Sequence, residues 1–231
     1  GVGLLVGQEL SALSRLVDAP ASPYVAVLGG AKVSDKIDVI EALLSKVNGL
    51  CIGGAMANTF LAAQGANMQK SLVEEDKLPL ARTLMQKAEE AGVQLLLPTD
   101  VVCGEGLSAT TGTTVKVSAV PAGQMALDIG PETIAAFSAA LKKAKTIFWN
   151  GPMGLFESAA FAAGTREVAL AMSKADGFTV VGGGDSAAAG SRAGDDIANA
   201  FDHIATGGGA SLAFVEGKLL PGVEALRNPT L

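Results

Sequence analysis

The 231-residue chain holds one histidine, one tryptophan, one tyrosine and two cysteines, and aromatics make up only 4% of it. Cys51 and Cys103 lie far apart, no CxxC occurs, and His203 is the lone histidine, so a zinc cluster is excluded. Buried free thiols in a reducing compartment are the expected state of both cysteines. Neither a Ser-His-Asp pattern nor G-x-S-x-G is present, which removes the common hydrolase nucleophiles. No apolar run reaches about 18 residues, so no spanning helix is expected despite a mean hydropathy of +0.39. Positive charge is also short: 17 Lys and Arg against 23 Asp and Glu leave a net charge of −6. That balance argues against a nucleic-acid partner, though not against a local cationic site for a small anion. The chain opens at Gly1 with no initiator Met, basic n-region or signal-type apolar stretch, which reads as a processed, cleaved or excised segment. With 49% hydrophobic and 17% charged residues, the chain can bury a core without disulfide or metal, and global disorder is excluded.

Glycine is abundant instead, at 29 residues. The glycines follow no Gly-x-y period, so collagen is excluded, and they cluster. Short apolar runs alternate with helical stretches across the chain. Strands are expected at Tyr24–Leu28, Leu50–Ile52, Val93–Leu97, Thr146–Trp149, Phe178–Val181 and near Ile204. Helices are expected from Ser34 to about Val47, from Gly54 through Phe60, from Pro79 to about Glu90, from Pro131 through Leu141, from Ala159 to Ala175, and after Gly209. Thr113–Val120 is a candidate antiparallel excursion in a Thr/Ser/Gly-rich stretch. The alternation predicts one α/β domain with a mostly parallel sheet buried on both faces. The first 20 residues form an amphipathic helix that reads as a connector.

The glycine clusters follow the expected strands: Gly29-Gly30, Gly53-Gly54, Gly182-Gly183-Gly184 and Gly207-Gly208-Gly209, with Asn150-Gly151-Pro152 after a fifth. In a parallel sheet these ends share one edge, where ligands bind. Helix N-termini there offer free amides and a positive dipole end, suited to a phosphate. Relief of tight turns is the alternative for any one cluster. No Walker A loop, H-R-D or D-F-G occurs, and no G-x-G-x-x-G follows Leu28. Lys32 and Lys36, four apart, would share a helical face and neutralise a transferring phosphoryl group; a solvated surface paired with Asp35 and Asp38 is the alternative. Asp185 is a candidate carboxylate for Mg²⁺ or a simple helix cap. Thr206 orients a phosphate or caps. Glu157 suits a ribose hydroxyl or the surface, and Trp149 belongs in the core.

Read as blocks, GGAKVSDK (29–36), IGGAMANTFL (52–61), KSLVEED (70–76), LPTD (97–100), ALDIGPET (126–133), WNGPMGLFE (149–157), FAAGT (161–165), VVGGGDS (180–186) and TGGGASLAFVEGKLLPGVEAL (206–226) occur in this order across nearly the whole chain. Together they resemble the C-terminal, nucleotide-binding half of the phosphoglycerate kinase family. The resemblance implies a three-layer, Rossmann-like domain over residues 20–231, with residues 1–19 as an interdomain-type helix and the family's N-terminal substrate lobe outside the chain. It implies Mg²⁺ with ATP or ADP as the cofactor and 3-phosphoglycerate or 1,3-bisphosphoglycerate as the substrate, held through that other lobe. It also implies a cytoplasmic, glycolytic monomer that binds neither nucleic acid nor membrane. The isolated chain would turn over little or not at all.

By the same resemblance, Lys32 stabilises the transferring group with the amides of Gly208 and Gly209. Lys36 and Ser186 meet the nucleotide phosphates, Gly29, Gly30, Gly183 and Gly184 belong to the nucleotide site, and Gly207 offers its amide beside those of Gly208 and Gly209. Gly53, Gly54 and Leu127 line the adenine pocket, Asn150 and Pro152 run along the nucleotide, Glu157 holds the ribose, and Asp185 organises the metal. Four positions depart from the family pattern: Ala55 for Gly, Gln69 for Gly before Lys-Ser, Ser186 for Thr, and Ala205 for Ser. Five scattered arginines, Arg15, Arg82, Arg166, Arg192 and Arg227, replace any basic cluster. The competing readings are a non-catalytic nucleotide module and a dinucleotide-binding oxidoreductase domain.

Overall fold

A computed structural model of the chain describes residues 2–205 and 207–218. Thr206 and the segment beyond residue 218 lie outside them, and with them the expectation for the Thr206 hydroxyl. The strands are β1 (Tyr24–Leu28), β2 (Gly49–Ile52), β3 (Gln94–Leu96), β4 (Asp100–Gly104), β5 (Thr113–Lys116), β6 (Met125–Ile129), β7 (Thr146–Asn150), β8 (Phe178–Gly182) and β9 (His203–Ile204). The helices are α1 (Val2–Val17), α2 (Ile37–Leu44), α3 (Gly54–Ala63), α4 (Leu78–Glu90), α5 (Pro131–Lys143), α6 (Ala163–Ser173), α7 (Gly184–Ala193), α8 (Asp195–Asn199) and α9 (Gly208–Val215).

Six strands form a parallel sheet in the order β3-β2-β1-β7-β8-β9. Side-chain alternation along each strand fills two cores. Tyr24, Ala26 and Leu28 of β1, Phe148 of β7 and Val180 of β8 pack against α1–α4 and α9. Val25 and Val27, Ile147 and Trp149, and Val181 pack against α5–α7. Both faces are therefore apolar, which is why these strands are legible as unbroken hydrophobic runs. Leu13 and Leu16 bury α1 in the first core, and Trp149 is fully buried, as expected. Cys51 and Cys103 are free and buried, and burial pushes the Cys51 thiol up to about 12.

A second sheet, β5-β4-β6, is antiparallel. Only β5 matches an expected strand. β4 opens on Asp100 and β6 interrupts its apolar residues with Asp128, and both acids serve other elements. Asp100 receives the amides of Glu132 and Thr133 at 2.9 Å each, capping α5 from a neighbouring strand. Asp128 receives the Gly164 amide at 2.9 Å near the start of α6.

The order of the large sheet reverses between β1 and β7, which lie side by side but lead to helices on opposite faces. This is the topological switch point at which open α/β sheets bind ligands. The segments leaving it are Gly29-Gly30 and Asn150-Gly151-Pro152.

Candidate functional site

Two adjoining cavities sit on this edge. The first, about 320 Å³, lies between α3, the antiparallel sheet and the segment after β7. Its walls are mostly apolar, with Ala55, Leu72, Met125, Leu127, Leu155 and Phe156 among them. The second, about 310 Å³, is bounded by Gly29, Lys36, Asn150, Gly151, Gly183, Gly184 and Ser186. Gly30, Ala31, Pro152 and Asp185 line both, so the two meet as one trough with an apolar end and a polar end. Leu72 and Leu107, at 48% and 68% exposure, are two large apolar side chains left open to solvent, and both stand at the first cavity.

The glycines divide into two groups. The amides of Gly29 and Gly30 donate to the carbonyls of Asn150 and Pro152, and those of Gly53 and Gly54 to Leu28 and Met153. These four amides are engaged within the protein, so the strand-end glycines Gly29 and Gly30 do not offer theirs to a nucleotide. The glycines permit close crossing of the turns: a Cβ on Gly29 would stand 2.1 Å from the Pro152 oxygen, and one on Gly53 2.4 Å from the Met153 sulfur. The second group opens helices. Gly183 at φ +100° turns the chain into α7, whose first residues are Gly184, Asp185 and Ser186. The first amides of a helix have no intrahelical acceptor. These three find no acceptor elsewhere among the described residues, and they look onto the second cavity. Gly207 precedes α9, which opens with Gly208 and Gly209. Gly207 and Gly209 line neither cavity, although Leu212, one turn on, borders the second.

The lysines do not share a helical face. Lys32 is extended (φ −124°, ψ 128°) before a single 3₁₀ turn at Val33–Asp35, and Lys36 stands between that turn and α2. Lys32 is exposed, borders neither cavity and makes no ion pair among the described residues. Lys36 lines the second cavity and donates to Asn150 Oδ1, which ties the two switch-point segments together. Burial lowers its pKa, with Asp35 opposing the shift. Glu74 Oε1 accepts from the Ser34 amide at 3.2 Å and so anchors the lysine segment to the 70–76 block. Ser186 is buried, and its Oγ accepts from the Gly151 amide at 2.7 Å. The hydroxyl thus fixes the β7 turn and keeps its own hydrogen to donate.

Asp185 is exposed where the cavities meet and has no ion-pair partner among the described residues. No group of three or more His, Cys, Asp or Glu that would cage a cation occurs among them. One open carboxylate beside free amides fits a magnesium ion that takes its remaining oxygens from phosphates and water. Leu127, Gly54 and Glu157 border the first cavity, Glu157 at its exposed rim, while Gly53 is sealed behind Met153.

Sequence reasoning did not pick out Asn58 and Asp128, two buried polar side chains on the first cavity wall. Burial lifts the Asp128 carboxyl to about 7, against the amides of Gly164 and Ile129 and the charge of Arg166. A polar residue inside an otherwise apolar helix and an acid inside a strand are the signals that could have found them.

Residues 1–218 match the family model described as phosphoglycerate kinase. The chain belongs to the phosphoglycerate kinase family. It is 56% identical over 225 residues to the phosphoglycerate kinase of Moorella thermoacetica and 56% over 227 residues to that of Clostridium novyi. These alignments cover 97% and 98% of this chain, and 57% and 56% of the relatives. A solved phosphoglycerate kinase from Coxiella burnetii superposes with a TM-score of 0.91 at 43% identity, over 97% of this chain and 58% of that one. The chain thus spans a little over half the length of the phosphoglycerate kinases it matches. No helix among the described residues is long and apolar enough to cross a membrane.

Proposed function

We propose that the chain is the nucleotide-binding half of a phosphoglycerate kinase. It holds Mg–ADP or Mg–ATP for reversible phosphoryl transfer between 1,3-bisphosphoglycerate and ADP. The observation that carries this reading is the trough itself. Its apolar end has the size and lining for a base, its polar end has free helix amides and Lys36, and Asp185 stands between them. Magnesium, when bound there, offsets phosphate charge and fixes phosphate geometry.

Transfer from an acyl phosphate to ADP needs no general base, because the attacking phosphate oxygen is already anionic. The task left to the protein is positioning and charge neutralisation. The amides of Gly184, Asp185 and Ser186 and the Lys36 ammonium bind the phosphates. Gly208 and Gly209 open α9 and offer its first amides, and exposed Lys32 is the cation for the transferring group. Glu157 at the rim of the apolar cavity takes the ribose hydroxyls.

The phosphoglycerate site lies outside the described residues in this reading. Among the described residues no arginine lines either cavity, and Arg15, Arg82, Arg166 and Arg192 are engaged with Phe178, Ala63, Glu167 and Phe156. The role is glycolytic and cytoplasmic, and the chain acts as a monomer. In thermal melts of these 231 residues, Mg–ADP raises the Tm and NAD does not. A shift with NAD and none with Mg–ADP would reject the reading in favour of a dinucleotide domain. Mg–ADP binding without net turnover is expected for the same 231 residues alone.

A further inference from the structure

Residues 72–74 bridge the apolar cavity and the lysine turn. Leu72 lines the cavity, and its carbonyl accepts from Asn58 Nδ2 at 3.2 Å. The Glu74 amide donates to Thr59 Oγ1 at 3.1 Å. Asn58 and Thr59 are buried in α3, at 3% and 1% exposure, so the helix pins this backbone at both ends. Breaking either bond would strand a polar group away from water, which fixes one arrangement. From this anchored backbone the Glu74 side chain reaches 40 positions back, where Oε1 accepts the Ser34 amide at 3.2 Å.

The segment it reaches has little else to set it. The first amides of a helical turn lack intrahelical acceptors, and an N-cap side chain ordinarily takes one. The N-cap of the 3₁₀ turn at Val33–Asp35 is Lys32 and that of α2 is Lys36, and neither side chain caps. Lysine carries donors only, so it cannot. Asp38 pairs instead with Lys218 at 3.4 Å, and among the described residues neither Asp35 nor Asp38 forms an ion pair with Lys32. Glu74 therefore supplies the cap from another element. Val33 is fully buried, and Lys36 donates to Asn150 Oδ1. Lys32 has no side-chain partner among the described residues, so its ammonium goes where the backbone of the turn aims it.

We propose that Glu74 is a positioning residue for phosphoryl transfer, its oxygen on the Ser34 amide setting the turn that aims Lys32. The inference rests on the nucleotide reading above, in which Lys32 is the cation for the transferring group. It gives the 70–76 block a task, which is to tie that cation to the cavity wall at Leu72. A cation displaced by about an ångström neutralises developing charge poorly, so the cost falls on the transfer step. Phosphate binding is spared, because Lys36 is tied separately to Asn150 and the α7 amides lie on another element.

The test compares Glu74→Ala, which removes the acceptor, with Glu74→Gln, which keeps an oxygen in its place. In a two-lobe phosphoglycerate kinase carrying this chain, Glu74→Ala is expected to lower kcat about tenfold, with KM for Mg–ADP within about threefold of wild type. Glu74→Gln is expected to keep kcat within about threefold of wild type. Calorimetry on the 231-residue chain should find Mg–ADP affinities within about threefold across all three proteins. A cap that served stability alone would lower the Tm and leave kcat of the folded enzyme unmoved. If Glu74→Ala fails to fold, Glu74→Met takes its place, keeping the length of the side chain without the acceptor. Three results would overturn the proposal while leaving the nucleotide reading intact. One is a folded acceptor-free variant with kcat within about threefold of wild type. Another is a loss expressed as weaker Mg–ADP binding at unchanged kcat. The third is a folded Glu74→Gln no faster than the acceptor-free variant. Failure of the wild-type chain to bind Mg–ADP would overturn both.

Discussion

At the residue scale, glycines of similar sequence context do opposite work. Gly29 is needed for packing, because a methyl there would stand 2.1 Å from the Pro152 oxygen and 2.8 Å from the Gly151 oxygen. Gly184 faces open space, with nothing within 4 Å of the place a methyl would take, and borders the second cavity. Gly29→Ala should therefore lower stability by roughly 2–4 kcal/mol in urea melts. Gly184→Ala should leave stability within about 0.5 kcal/mol. It should instead weaken Mg–ADP about tenfold, by intruding where the phosphate approaches the helix amides. Gln69 is the other informative residue. It stands where the family commonly has glycine and adopts φ +53°, with its amide donating to Asn67 Oδ1 at 3.0 Å. The sequence departure thus falls where a side chain is strained. Gln69→Gly should raise stability by about 0.5–1 kcal/mol, less than the full left-handed penalty because glycine also loosens the unfolded chain.

At the scale of elements, the parallel strands and their helices were legible because burial on both faces makes an unbroken apolar run. The antiparallel strands β4 and β6 were not, because each carries an acid whose partner lies on a distant helix. Asp100 is separated from α5 by some thirty positions, and no local pattern announces a cap supplied from there. The helix expected from Ser34 begins only at Ile37, since the preceding turn is a single 3₁₀ turn held by Glu74.

Asp128 gives the element scale a pH signature. Its carboxyl titrates at about 7 in the fold, against an ordinary value of 3.8. Between those values the folded chain holds a proton that the unfolded chain has released. Stability from this residue is therefore greatest below about pH 4 and declines as pH rises toward 7, by a few kcal/mol. Asp128→Asn should flatten that decline between pH 5 and 8. It should cost about 1–2 kcal/mol at pH 5, because one oxygen cannot serve both the Ile129 and Gly164 amides well. Urea melts of both proteins across the pH range measure the difference.

At the scale of the molecule, the edge that carries both cavities was legible and the division of labour among its glycines was not. Glycines after successive strands pointed to one edge, and both cavities lie there. What spacing could not convey is that the amides of Gly29, Gly30, Gly53 and Gly54 bond to neighbouring segments, while those of Gly184, Asp185 and Ser186 in α7 find no acceptor among the described residues. That distinction depends on which strands are neighbours, and β1 and β7 are more than a hundred positions apart. Nor could spacing reveal that Lys36 reaches Asn150 across the switch point while Lys32 stays in solvent. The described arginines are engaged in packing and ion pairs, and Lys36 is the one basic side chain among the described residues that line the two cavities.

The most direct test of this account is an amide-resolved NMR titration of the chain with Mg–ADP. The account predicts that the largest shifts fall on Gly184, Asp185 and Ser186 and on the Leu127 and Leu155 walls of the apolar cavity. The amides of Gly53 and Gly54 should keep their hydrogen-exchange protection unchanged. Large shifts confined to surfaces away from both cavities, with the α7 amides unmoved at saturation, would contradict it.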